Sequence, residues 1–255
     1  MSKLQKQVIL AAAVVLLGVF SWWFIKYIFY IGDLTLSCWI FGIILLILLG
    51  VALCLAMLLI ENKWLLYGSF ALFLISFVFF FNNEPFSYLF ILVIFFLIFW
   101  FAVFRIKKEE RTEANLNFWK IWKKGLPLVI TGLILVVGFI YYFSPQSTEL
   151  KTVEFKVPKQ AIDTIIKEMP AGWIFNSTID EAFSTINKTI NKTIDPYKKF
   201  IPLGLAVGLV IGLKIVSFVY IALVILFSWL ILKLLTAIKF VKTEIVKKEV
   251  ETITL

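Results

Sequence analysis

Runs of apolar residues, nearly free of charge, alternate along this chain with short polar breaks. They occupy 8–30, 36–60, 64–81, 86–104 and 126–143, with a longer run at 201–235. About 20 apolar residues cross a hydrocarbon core ~30 Å thick as a helix, so each run is long enough to span a bilayer. The breaks after the first three are tight: Gly32-Asp33, Glu61-Asn62-Lys63 and Asn82-Asn83-Glu84-Pro85. Loops that short join antiparallel neighbours, so residues 1–104 are expected to form an up-and-down four-helix transmembrane unit. The predicted fold class is all-α, a polytopic membrane protein with six transmembrane helices: the four-helix unit, then a helix–ectodomain–helix hairpin.

Composition agrees. Of 255 residues, 62% are hydrophobic and 16% charged, against roughly 45–50% apolar in soluble domains. The first run follows Lys3 and Lys6 as a signal peptide would. Ser21-Trp22-Trp23-Phe24 stands where small residues would mark cleavage, so an uncleaved helix is expected.

The net charge of +9 bears on orientation. With the N-terminus in the cytoplasm, the inner segments hold fourteen Lys and Arg and the short outer loops none. The expected localisation is the cell membrane, multi-pass, with both termini cytoplasmic and residues 144–200 external. Anionic lipid of the inner leaflet, and not nucleic acid, is the expected partner of these cations.

Residues 105–125 form a basic cytoplasmic segment before the fifth helix at 126–143. Trp119, Lys120, Trp122, Lys123 and Lys124 interleave aromatics with lysines, the pattern of a short helix lying at the lipid interface. Fixing orientation is the plain role for it, and docking a cytoplasmic partner the sharper one.

The external segment carries the clearest periodicity. Val153, Phe155 and Val157 alternate with charges, as a short strand or extended arm would, and an amphipathic helix is expected at 159–169. Phe175, Ile179, Phe183, Ile186, Ile190 and Ile194 then repeat every three or four residues and continue to Tyr197 and Ile201. This is one narrow apolar seam on a helix. Its Thr- and Asn-rich background is a mediocre helix former, so the seam needs a partner, either the 159–169 helix or another subunit. Asp195-Pro196 reads as an N-cap and first-turn proline that restart a helix. Asn176, Asn187 and Asn191 head N-x-[ST] sequons and are possible glycosylation sites.

The sixth run is too long for one crossing, so residues 201–238 divide. Gly204, Gly208 and Gly212 form a glycine zipper, a helix-packing stripe. A span proper at about 215–235 leaves Lys214 at the outer lipid interface, snorkelling; the alternative buries it in the membrane, where a lone cation is costly and functional. The tail at 239–255 is expected to run on as a frayed cytoplasmic helix.

Candidate chemistry is thin. There is no histidine, which removes imidazole shuttles, triads and the commonest metal ligand. Cys38 and Cys54 share one apolar run and read as packing residues. No cofactor is expected. Asp33 and Glu84 are the acids of the short outer loops and fit loop capping better than catalysis. The resulting expectation is a non-enzymatic integral membrane protein, a scaffold, assembly factor or accessory subunit. It would use its external helical segment to contact another membrane protein or a second copy in a homo-oligomer. The alternative is an oligomeric channel or transporter component with pore helices from the fifth and sixth spans.

Overall fold

The computed structural model describes residues 2–30, 35–81, 85–112, 117–149 and 179–241. Each apolar run is a helix: α1 Lys3–Tyr30, α2 Leu36–Leu59, α3 Lys63–Phe80, α4 Pro85–Thr112, α5 Phe118–Tyr142 and α8 Ile201–Ala237. Between the last two lie a short α6, Pro145–Glu149, and α7, Ile179–Ile194, followed by a 3-10 turn at Asp195–Phe200. No strand occurs among the described residues. The six long helices are long and apolar enough to cross a membrane, and the chain is a multi-pass α-helical membrane protein by that criterion.

The helices close into a ring in the order α1, α2, α8, α5, α4, α3. Helix α2 also touches α4 and α5 and is the most enclosed, with 67% of its most apolar stretch buried against 28% for α8. The expected four-helix neighbour order is therefore corrected in one respect. Helix α3 leaves α2, to which its loop joins it, and lies chiefly against α1. A tight loop constrains helix ends alone; side-chain fit decides the rest. Gly18 supplies that fit, since a Cβ there would run into the Phe73 ring. One turn on, Trp22 stacks on Phe73 at 5.1 Å and donates its indole N–H to the Phe73 carbonyl at 3.1 Å.

An aromatic ladder fills the space between α1, α3 and α4. Phe77 meets Trp22 edge-on at 5.0 Å and Tyr88 at 5.3 Å. Phe70 stacks on Phe99 at 3.6 Å and meets Phe95 edge-on at 5.2 Å. Helix α4 packs most extensively on α5, where Gly132 gives Phe95 its place and Gly125 admits Ile106. Packing thus runs straight across the 105–125 connection.

Three helix ends differ from expectation. Helix α4 continues to Thr112 and α5 starts at Phe118, so most of 105–125 is the prolongation of two spans. The aromatic-basic stretch is not a separate surface helix, because Asn117 caps α5 by accepting from Lys120 N and helical hydrogen bonding continues into the span. Asp195-Pro196 sits in the 3-10 turn, and α8 begins at Ile201 with Pro202 in its first turn. The sixth helix stops at Ala237, where Lys239 takes a φ of 58° and Phe240 N bonds to Leu235 O at 2.9 Å; the expected tail helix lies outside the described residues from 242 on. This left-handed closure reverses the chain as a Schellman motif does.

Candidate functional site

Two groups of the residues that sequence singled out have their side chains described, one on the N-terminal part of α8 and one at the junction of α4 with α5. At 37 residues, α8 is about 55 Å long. Its register against α2 is set where Gly50 admits Tyr220 and Val224. Tyr220 donates its hydroxyl to the Leu46 carbonyl at 2.6 Å, which satisfies a phenol inside the bundle. One turn further in, Ser228 faces Cys54, and both are fully buried. From this register the first two turns of α8 project past the N-terminal end of α2.

Gly204, Gly208 and Gly212 all lie on the open side of α8, and a Cβ on any of them would meet nothing within 4 Å. Gly138 of α5 behaves oppositely: a Cβ there would strike Val210, so on that side the glycine supplies the close approach. The zipper face is flanked by exposed Leu203, Leu205, Val207 and Ile211, an apolar strip uncovered among the described residues.

Lys214 turns to α5 instead of extending toward the N-terminal end of α8. Its Nζ donates to Thr131 Oγ1 at 2.6 Å, and Thr131 in turn donates to the Pro127 carbonyl at 2.6 Å. Thr131 lies seven residues, about 10 Å, inward of Gly138, which faces Val210. The ammonium is therefore drawn inward along α5. The physical reason is an acceptor: Thr131 offers a hydroxyl in an apolar wall, and a cation there takes the nearest oxygen.

The apolar stripe is helical from Ile179 to Ile194, as its period requires. Ile190 is half-buried. Phe175, Asn176, the alternation at 153–157 and the 159–169 helix lie outside the described residues, as do Asp33 and Glu84. The side chains of Ile179, Phe183, Ile186 and Ile194 are outside that description too, so the seam is established as backbone alone. Asn191 donates its amide to the Asn187 carbonyl at 2.9 Å, tying two of the sequon asparagines along one face of α7.

At the opposite end, Trp119, Lys120, Lys123 and Lys124 are exposed, with the Lys123 ammonium 5.6 Å from the Trp119 ring centre. Trp122 is the correction. It is completely buried and packs against Phe118 at 5.7 Å, so it is a core residue and not a lipid-interface one. One helical turn separates Gly125, against Ile106, from Trp122, which consequently points into the α4–α5 contact. Its indole nitrogen has no hydrogen-bond partner among the described residues. Nearby polar contacts were not read from sequence. Lys107 Nζ donates to the Leu58 carbonyl at 2.8 Å and pairs with Glu110 at 3.1 Å, closing the C-terminus of α2. Lys120 lies 3.8 Å from Glu109, bridging α5 to α4.

Among the described residues no cluster of three His, Cys, Asp or Glu side chains gathers to hold a metal. No family model matches the chain, and no curated protein and no solved structure matches it either.

Proposed function

We propose that this chain is a non-enzymatic scaffold, assembly factor or accessory subunit of the cell membrane, with both termini cytoplasmic and its 144–200 segment external. Its partner contact would be made by the external helical segment together with the outer part of α8. The observation that carries this reading is the open glycine stripe. Six other glycines in the spans, at 18, 42, 50, 125, 132 and 138, each let a neighbouring side chain approach closely. Gly204, Gly208 and Gly212 stand in the same kind of helix with that approach unused. Glycine in a helix interior costs roughly 1 kcal/mol relative to alanine, so three in register are expected to serve a contact that offsets the cost.

Disulfide crosslinking in native membranes tests the proposal. With Cys38 and Cys54 replaced by serine, Ile179→Cys, Ile186→Cys and Ile190→Cys are each expected to give products joining two chains. Uncrosslinked single chains alone, at all three positions, would sink the reading.

A second reading, an oligomeric channel with α5 and α8 as pore helices, is supported by the Lys214–Thr131 hydrogen bond between those two helices. It requires currents in reconstituted bilayers that change with Gly208→Leu. Silence from correctly assembled protein disposes of it.

A further inference from the structure

Helices α1 and α3 close on each other through Gly18, Trp22, Phe73 and Phe77, but only over part of their length. Toward the end that carries Lys3 and Lys63 they leave an open apolar groove of about 780 Å³. Small residues make it: Ala11 and Ala12 on α1, Gly68 and Ala71 on α3. A Cβ at Gly68 would meet nothing within 4 Å. The groove runs from Trp64 to Ile75, about 16 Å along the helix, which is the depth of one leaflet of a ~30 Å core. Its volume falls within the range of small-molecule sites.

The mouth is positively charged. Lys3 pairs with Glu61 at 2.7 Å and Lys6 donates to the Phe240 carbonyl, which leaves Lys63 exposed with no ion pair among the described residues. Beside it, Trp64 is 89% exposed, an indole at the end of a span where headgroups lie. Depth and charge together select the occupant. A partner helix would need contact across the whole bilayer, whereas this groove ends at Ile75, close to the level where Gly18 and Phe73 meet. An acyl chain fits one leaflet, and an anionic headgroup fits the lysine.

We propose that the α1–α3 groove holds an acyl chain of an anionic phospholipid from the leaflet at that end, with its headgroup held by Lys63 and Trp64. The full chain, reconstituted in vesicles of phosphatidylcholine and phosphatidylglycerol, provides the test. A trace of phosphatidylglycerol carrying a diazirine midway along its acyl chain is photolysed, and labelled peptides are mapped by mass spectrometry. Labelling is expected to concentrate on 8–16 and 64–75, above the lipid-facing Leu97, Trp100 and Phe101 of α4. Gly68→Leu, which fills the groove, is expected to bring it down to the α4 level; Ala71→Leu serves as the second filling variant should the first not fold. Lys63→Gln is expected to reduce the preference for phosphatidylglycerol over an equivalent phosphatidylcholine probe about fivefold, the equivalent of ~1 kcal/mol per lysine at an anionic surface. Uniform labelling, labelling unchanged by filling the groove, or equal labelling by the two headgroups would each overturn the proposal. So would protection of the groove by a second copy of the chain.

Discussion

Glycine at each position in this bundle is defined by what stands opposite it. Gly132 faces Phe95, so Gly132→Leu overpacks the α4–α5 contact and is expected to cost about 1–3 kcal/mol, read as a lowered unfolding temperature in detergent. Gly204→Ala meets open space within one chain. In dispersed monomer it is expected to gain up to about 1 kcal/mol from helix propensity, and the same measurement checks it. A second residue-scale prediction concerns the lysine turned inward. Thr131→Val removes the acceptor of the half-buried Lys214 Nζ and is expected to destabilise by about 1 kcal/mol, the net worth of a typical hydrogen bond. Adding Lys214→Met to it is expected to recover most of that loss, because neither partner is then left unsatisfied. A double-mutant cycle without coupling would remove the hydrogen bond from the account.

Helix ends decide more here than helix interiors. Propensity and hydropathy read the interiors well, since an apolar run has only helix available inside a bilayer. The ends were set by single contacts. Asn117 caps α5, Lys107 reaches the Leu58 carbonyl near the end of α2, and Lys239 turns the chain left-handed after α8. A non-glycine residue in that conformation costs roughly 1–2 kcal/mol. Lys239→Gly is accordingly expected to stabilise the end of α8 by about 1 kcal/mol, visible as slower amide exchange over its last turn, and Lys239→Val to speed that exchange. The 105–125 stretch shows why boundaries resist sequence reading. Its charges were legible as an interface signal, but the same residues also serve two helices that continue beyond their apolar runs, α4 to Thr112 and α5 from Phe118. Nothing in the spacing of Trp119 and Trp122 distinguished the exposed indole from the buried one. That follows from the position of α4, which Gly125 admits.

The closed ring has a consequence for the molecule as a unit. Helix α5 packs on α4, and α8 packs on both α5 and α2, so the two halves of the chain hold each other on several faces. Residues 1–114 and 115–255, expressed as separate polypeptides with a tag on one, are expected to copurify as a complex from membranes. Recovery of the tagged half alone would mean that the contacts across the connection are weak. The exposed surface of the ring is apolar on most helices, as lipid contact requires. Against that background, the glycine stripe of α8 and the α1–α3 groove are places where small residues leave the surface unfilled.

The sequence by itself determined the class, the number of long apolar helices and the helix over 179–194. Each of these follows from local length and period, which a bilayer turns into helix with little choice. Neighbour relations needed the tertiary structure. That α3 leaves α2 for α1 depends on Gly18 matching Phe73, and that Lys214 turns inward depends on Thr131, eighty-three residues earlier in the chain. Lipid tails are as apolar as the side chains they replace, so hydrophobicity cannot choose between one helix neighbour and another. Shape and a few buried acceptors make that choice, and both are properties of pairs of residues far apart in the sequence.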